Sequence, residues 1–144
     1  MDGSVDIRPA RILEWLAAVI GAANCVIVPL LFAQPGGRDF PFPGLYFIEI
    51  ALLGVAVVLY VALRSAAPGR WSVVPWAAAG IILAFVILGG FSIGYFLIPA
   101  FLAFTFVGVV ADRQTGGPIA RHFGLLLVAA IAQAAFMLLA IQFG

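Results

Sequence analysis

The sequence predicts an all-α fold: a polytopic integral membrane helical bundle with five transmembrane helices. Of its 144 residues, 65% are hydrophobic and only 9% are charged, whereas soluble domains carry roughly a quarter charged residues. The few charges also divide the chain into apolar stretches close to the length of about 20 residues that a helix needs to cross a bilayer. We therefore expect a single transmembrane bundle domain over 1–144, surrounded by lipid.

The first predicted helix covers 12–33. Arg8 and Arg11 precede an apolar segment, which is also the pattern of a secretory signal peptide. Because the segment is long enough to span a bilayer and offers no good cleavage site, we expect an uncleaved helix. Glu14 lies in its first turn, where an ion pair with Arg11 and the helix dipole both favour a carboxylate.

The second predicted helix covers 44–63. The segment before it, 34–43, is rich in proline and glycine and cannot continue a helix, so we expect a compact loop. Arg64 ends the helix in this prediction, and a short turn containing Pro68 and Gly69 follows it.

The uncharged stretch 71–111 predicts two helices. As one helix it would be about 60 Å long, twice the hydrocarbon thickness of about 30 Å, so the chain must fold back. The glycines at 89–94 lie near its midpoint and favour a tight hairpin there. We therefore expect helices over 72–89 and 92–111, with Ser92 as a candidate N-cap.

A loop over 112–122 and a fifth helix over 123–143 complete the predicted bundle. Five spans place six of the seven basic residues on one side of the membrane, which the positive-inside rule assigns to the cytoplasm. The N-terminus is then cytoplasmic and the C-terminus external. The alternative is four spans, with 71–111 as one tilted or re-entrant unit. It places four arginines on one side of the membrane and three on the other, a weaker asymmetry. The six residues are Arg8, Arg11, Arg64, Arg70, Arg113 and Arg121.

Small and aromatic residues predict how the helices pack and where they meet the interface. Gly21 and Gly80 lie in stripes of small residues that allow close helix contacts in lipid. Trp15, Trp71 and Trp76 fall near the predicted inner surface and are typical of an aromatic belt.

A few polar residues within the spans form a candidate intramembrane site. Asn24 and Gln133 fall near the middle of the bilayer and could bond each other, with Thr105 less deep. They serve either as hydrogen-bonding glue between helices or as a polar spot for a substrate, an ion or a quinone. Glu49 is a functional candidate because acids are rare in membranes, but it could also pair with Arg38 or reach the interface.

Arg113, Arg121 and His122 form a second candidate site on the last inner loop. Their cationic side chains could hold an anionic lipid headgroup or contact a protein partner. The alternative is a solvated loop whose charges only set the topology.

The composition excludes several functions. The basic residues are all arginine, so no lysine is present for Schiff-base chemistry. One cysteine and one histidine predict no disulfide, no metal site and no cofactor, and no catalytic constellation is recognisable. We expect no enzyme and no nucleic-acid partner. The remaining hypotheses are a structural or accessory subunit that packs with itself or a larger membrane complex, and a minimal oligomeric transporter or channel that uses Glu49, Asn24 and Gln133.

The predicted hairpin carries one resemblance. The string Phe-Ser-Ile-Gly-Tyr-Phe-Leu-Ile-Pro-Ala at 91–100 resembles the penultimate hairpin of small multi-span bacterial membrane proteins, which share an F-S-I-G-x-F-x-x-P-A pattern. The resemblance implies a multi-pass bacterial membrane protein, and it transfers no site residues.

Overall fold

A computed structural model describes residues 7–33, 43–66, 69, 71–90 and 92–143 of the chain. These residues form a helical bundle and contain no strand, which confirms the predicted fold class. The five helices are α1 (Ile7–Phe32), α2 (Gly44–Leu63), α3 (Val73–Leu88), α4 (Gly94–Thr115) and α5 (Ile119–Phe143).

The helices alternate in direction along the chain. Glu14 near the start of α1 meets Arg64 just after α2, and Trp76 near the start of α3 meets Asp112 near the end of α4. His122 near the start of α5 joins the same aspartate. The starts of α1, α3 and α5 therefore lie at one end of the bundle. We call it the basic end, because it holds every arginine whose side chain the structure describes: Arg11, Arg64, Arg113 and Arg121.

Four of these helices are long and apolar enough to cross a membrane, and α3 is shorter. Its 16 residues extend about 24 Å. It nevertheless runs between both ends of the bundle, because Trp76 near its start lies at the basic end and Phe85 near its end packs on Tyr46 at the start of α2. The stretch 71–111 is therefore a pair of antiparallel helices, as predicted, and the single tilted unit of the alternative is not observed.

The short helix α3 lies in the interior. It packs extensively on α4 and α5 and less on α2, while α1 packs on α2 and α4. Because its neighbours cover it, α3 needs less length than a helix surrounded by lipid. The outer faces of the bundle expose many large apolar side chains, among them Leu30, Leu52 and Ile131, as expected of surfaces that contact lipid.

Small residues produce the closest helix contacts, which confirms the predicted packing role of Gly21 and Gly80. A Cβ atom at Gly80 would lie 2.2 Å from the carbonyl oxygen of Leu126 in α5. A Cβ atom at Gly21 would lie 2.5 Å from the ring of Phe104 in α4. These helices approach so closely that no larger side chain fits between them.

The helix bounds correct three of the predictions. The second helix has the predicted limits, but α4 continues to Thr115 rather than 111 and α5 begins at Ile119 rather than 123. A charged residue does not by itself end a helix at the membrane surface, because water solvates its side chain there. Instead α4 ends at Gly116, whose φ of +67° is left-handed and whose N–H donates to the carbonyl of Asp112. At the other end of the chain, α1 begins at Ile7 rather than 12.

The hairpin between α3 and α4 lies at the predicted glycines, but Ser92 is not the N-cap. Residue Ile93 holds that position, and no side chain caps the helix. The Ser92 hydroxyl instead donates to the carbonyl of Gly89 across the turn, at 3.3 Å. A Cβ atom at Gly94 would lie 2.5 Å from the carbonyl oxygen of Val86, so the close crossing depends on glycine.

Candidate functional site

A buried polar cluster joins three helices at the basic end. Asp112 of α4 is fully buried and accepts a hydrogen bond from Nε1 of Trp76 in α3, at 3.0 Å. Nδ1 of His122 in α5 lies 2.8 Å from Oδ2 and 2.9 Å from Oδ1 of the same carboxyl group. With Asp112 ionised, the Nδ1–H form of His122 is the donor. The cluster therefore ties α5 and α3 to the end of α4.

Two sequence predictions are corrected by this cluster. Trp76 is 1% exposed and points into the protein, so it is not part of an interfacial belt, whereas Trp71 is exposed as that belt requires. His122 is 8% exposed and is occupied by Asp112, so it does not belong to a solvated loop. Asp112 is not among the predicted site residues, because the sequence places it in the loop 112–122. Its spacing of ten residues from His122 across a glycine turn is the signal that could have indicated the contact.

A second buried charge cluster lies beside α1. Glu14 is fully buried, and its Oε1 lies 2.7 Å from a terminal nitrogen of Arg64, whose side chain is 11% exposed. Arg64 also donates to the side-chain oxygen of Gln114 in α4. The close ion pair of Glu14 is thus a contact between helices, whereas Arg11, the predicted partner, acts on Glu14 electrostatically without forming that contact.

Above this ion pair the structure has an open cleft of about 780 Å³. Arg11 of α1, Arg64 and Arg113 of α4 all line it, so side chains from three parts of the chain converge on one space. We call it the arginine cleft; its other lining residues are Ala10, Tyr60, Ser65, Gly69, Val110, Gln114 and Thr115. Cationic guanidinium groups around a cavity favour an anion with several oxygen atoms.

Arg121 lies in a neighbouring cleft of about 550 Å³ that His122 also lines. The three residues predicted to hold a headgroup are therefore not brought together. Arg113 faces the arginine cleft, Arg121 faces this second cleft, and His122 is held by Asp112. The structure adds Arg11 and Arg64 to Arg113, two residues that the sequence does not predict as part of a binding site.

At the opposite end of the bundle, Glu49 of α2 meets Gln133 of α5. Nε2 of Gln133 donates to Oε2 of Glu49 at 3.1 Å. The pair lines a groove of about 450 Å³ between the two helices, together with Leu45, Tyr46 and Phe136. We call it the α2–α5 groove. Among the described residues Gln133 is the partner of Glu49; Arg38, the predicted alternative, lies outside those residues.

Asn24 and Thr105 do not join this pair. The predicted bond between Asn24 and Gln133 is not formed, because Gln133 reaches Glu49 instead. Within the described part of the chain, the buried side-chain oxygen of Asn24 has no hydrogen-bond partner. Thr105 donates to the carbonyl of Phe101 in its own helix at 2.8 Å. The predicted intramembrane site is thus reduced to two residues.

The polar groups of these sites can form hydrogen bonds and ion pairs. In the described ranges, no group of three or more His, Cys, Asp or Glu side chains lies close enough to hold a metal ion. The arginine cleft offers donors to an anion, and the α2–α5 groove offers one carboxyl group and one amide beside apolar side chains.

Comparisons with known proteins give no match, whether to a family model, a curated protein or a solved structure.

Proposed function

We propose that this membrane protein is a non-catalytic accessory subunit that packs with itself or with a larger membrane complex through the α2–α5 groove. The observation that carries the proposal is the contact between Glu49 and Gln133 in a groove that remains open on its outer side. A carboxyl group and an amide in an apolar setting are stabilised by further polar partners.

The packing of α5 also supports this proposal. Its extensive contacts are with α3, and it meets α4 at few positions. The exposed apolar side chains Phe136 and Leu139 lie on the same helix as Gln133. A helix from another subunit could fill the groove and give a hydrogen-bond partner to the polar pair, which is how polar side chains strengthen helix association in lipid.

Replacing Gln133 by Leu is expected to weaken self-association about three- to tenfold, because one interhelical hydrogen bond in a membrane contributes about 0.6–1.5 kcal/mol. The fraction of oligomer in lipid nanodiscs, followed by fluorescence energy transfer between labelled copies, measures the change. Ile131→Ala is the matched control, since Ile131 is exposed on α5 but does not line the groove.

Two results would contradict the proposal. One is an Ile131→Ala variant that weakens association as much as Gln133→Leu. The other is wild-type protein that remains monomeric in nanodiscs and in gentle detergent and also co-purifies with no membrane partner.

The second candidate function is a minimal oligomeric transporter or channel that uses Glu49, Asn24 and Gln133. The Glu49–Gln133 contact favours it, because an intramembrane acid beside an open groove is typical of ion pathways. Asn24 is not joined to the pair, so only part of the expected path is present. Unchanged flux of every tested ion after Glu49→Gln would exclude this function.

We further propose that the basic end is cytoplasmic and that the protein lies in a bacterial inner membrane. The arginines at that end support this orientation through the positive-inside rule, and the hairpin resemblance supports the bacterial location. A reporter that is active only outside the cytoplasm is expected to be active when it is fused after Gly144. Activity of a cytoplasmic reporter at the same position would indicate the opposite orientation.

A further inference from the structure

The arginine cleft offers a binding site that is independent of the α2–α5 groove, because the two lie at opposite ends of the bundle. We propose that the cleft binds the phosphate headgroup of an anionic phospholipid and that one acyl chain of the same lipid lies in the apolar groove beside it.

The charge of the cleft is the first argument. Arg11, Arg64 and Arg113 line it, and among the described residues Glu14 is the one carboxylate in ion-pair contact with any of them, through Arg64. The three guanidinium groups therefore outnumber the carboxylate that contacts them, and the cleft keeps positive charge for a ligand. Phosphate groups suit such a site because guanidinium groups bind their oxygen atoms through charge-assisted, often bidentate hydrogen bonds.

The second argument is that one arginine is held in place before any ligand binds. Arg64 contacts Glu14 on one side and Gln114 on the other, and its side chain is nearly buried. A guanidinium group has five N–H donors, so these two contacts leave others for a ligand. Because its position is fixed by the fold, Arg64 loses little conformational freedom on binding.

The third argument concerns the hydrocarbon part of the ligand. An apolar groove of about 360 Å³ adjoins the arginine cleft, and Tyr60 and Arg64 line both. Leu59, Leu63 and Trp71 contribute apolar surface to it. A lipid has a phosphate and an acyl chain in this same arrangement, whereas a free phosphate ion would use only the cleft. The groove therefore favours lipid as the source of the phosphate.

The location gives the fourth argument. The arginines lie at the ends of helices that are long and apolar enough to cross a membrane, which is where headgroups are found. Trp71 is exposed at the same end, as expected of a side chain at the lipid interface. Anionic headgroups are attracted to basic residues near the cytoplasmic surface.

The test compares two arginines at the same end of the bundle. Protein in mixed bilayers of phosphatidylglycerol and phosphatidylcholine is extracted, and the retained lipid is counted by native mass spectrometry. Wild type is expected to retain phosphatidylglycerol preferentially, and Arg113→Gln is expected to reduce this retention about tenfold. Arg121→Gln removes the same charge from the neighbouring cleft and is expected to change retention less than twofold.

Equal losses of phosphatidylglycerol retention in Arg113→Gln and Arg121→Gln would overturn the proposal, because they would indicate that the charged surface attracts anionic lipid in general. Retention of both lipids in proportion to their abundance would overturn it as well. Thermal unfolding of each variant in the same detergent verifies that the fold is intact, and Arg11→Gln repeats the test at a second residue of the cleft.

A further arm separates lipid from soluble phosphate. Leu59→Ala in the apolar groove is expected to reduce lipid retention at least threefold, while Leu52→Ala, exposed on α2 but outside the groove, leaves it unchanged. Inorganic phosphate at millimolar concentration is expected to leave the retained lipid in place. Displacement of the lipid by phosphate, or identical retention in Leu59→Ala and wild type, would overturn the assignment to a lipid.

Discussion

Replacing Asp112 by Ala is expected to lower the free energy of unfolding by about 2–5 kcal/mol, because two buried donors each lose their acceptor at a cost of about 1–3 kcal/mol. The Asp112 carboxyl group is fully buried and is shared by Trp76 and His122. Its loss leaves the indole N–H and the imidazole nitrogen in the protein interior without an acceptor. We expect α5 to loosen first, because the cluster is one of its few contacts with α4.

The loss of stability can be measured by equilibrium unfolding in mixed detergent micelles, with tryptophan fluorescence as the signal. Asp112→Asn keeps one acceptor for Trp76 or His122, so its loss of unfolding free energy is expected to be less than half of that in Asp112→Ala. Arg113→Ala alters the neighbouring exposed residue and is the control, with an expected change within about 0.5 kcal/mol. A loss below about 1 kcal/mol in Asp112→Ala would contradict the structural role of the cluster.

Replacing Arg64 by Met is expected to be similarly destabilising, by about 3–5 kcal/mol. Glu14 is fully buried and Arg64 is its ion-pair partner, so the variant leaves a buried carboxylate without the cation that contacts it. Gln114 also loses its partner, but this residue is exposed and water can replace the contact.

The double variant Glu14→Leu with Arg64→Met distinguishes the ion pair from general packing. It replaces both charged side chains by apolar ones of similar volume, a change that is often neutral or stabilising in a buried site. We therefore expect it to be at least 2 kcal/mol more stable than Arg64→Met alone, a coupling typical of residues in one network. If the changes in unfolding free energy of the two single variants add up to that of the double variant, a direct interaction between Glu14 and Arg64 is contradicted.

Helix bounds show where charge patterning succeeds and where it fails. The start of α2 and the hairpin between α3 and α4 follow from glycine and proline positions, since those residues decide where a helix can continue. The predicted end of α4 near Asp112 is too early and the predicted start of α5 near Arg121 is too late, because a charge ends a membrane span without ending the helix. The left-handed Gly116 is the residue that ends α4.

The candidate sites were predictable only as residue types. The sequence identifies Glu49 and Gln133 as unusual residues for a membrane span, but their contact joins residues 84 apart in sequence. From the sequence alone, Asn24 is an equally good hydrogen-bond partner for Gln133. Glu14 was assigned to the arginine on its own helix, whereas the closer cation comes from the end of α2. Partner choice depends on which helix faces meet, and a single sequence gives no measure of that.

The sequence by itself determined that this chain is a helical membrane protein, because charge is scarce and the apolar stretches have the length of a membrane-spanning helix, which satisfies its own backbone hydrogen bonds. It also determined the order of the helices and the grouping of the arginines. Tertiary structure alone decided which polar groups meet. It directed Trp76 and His122 onto Asp112 and brought Arg11, Arg64 and Arg113 around one cleft. The reason is physical: in an apolar setting a polar side chain is stabilised by whichever partner the packing of small residues brings within reach.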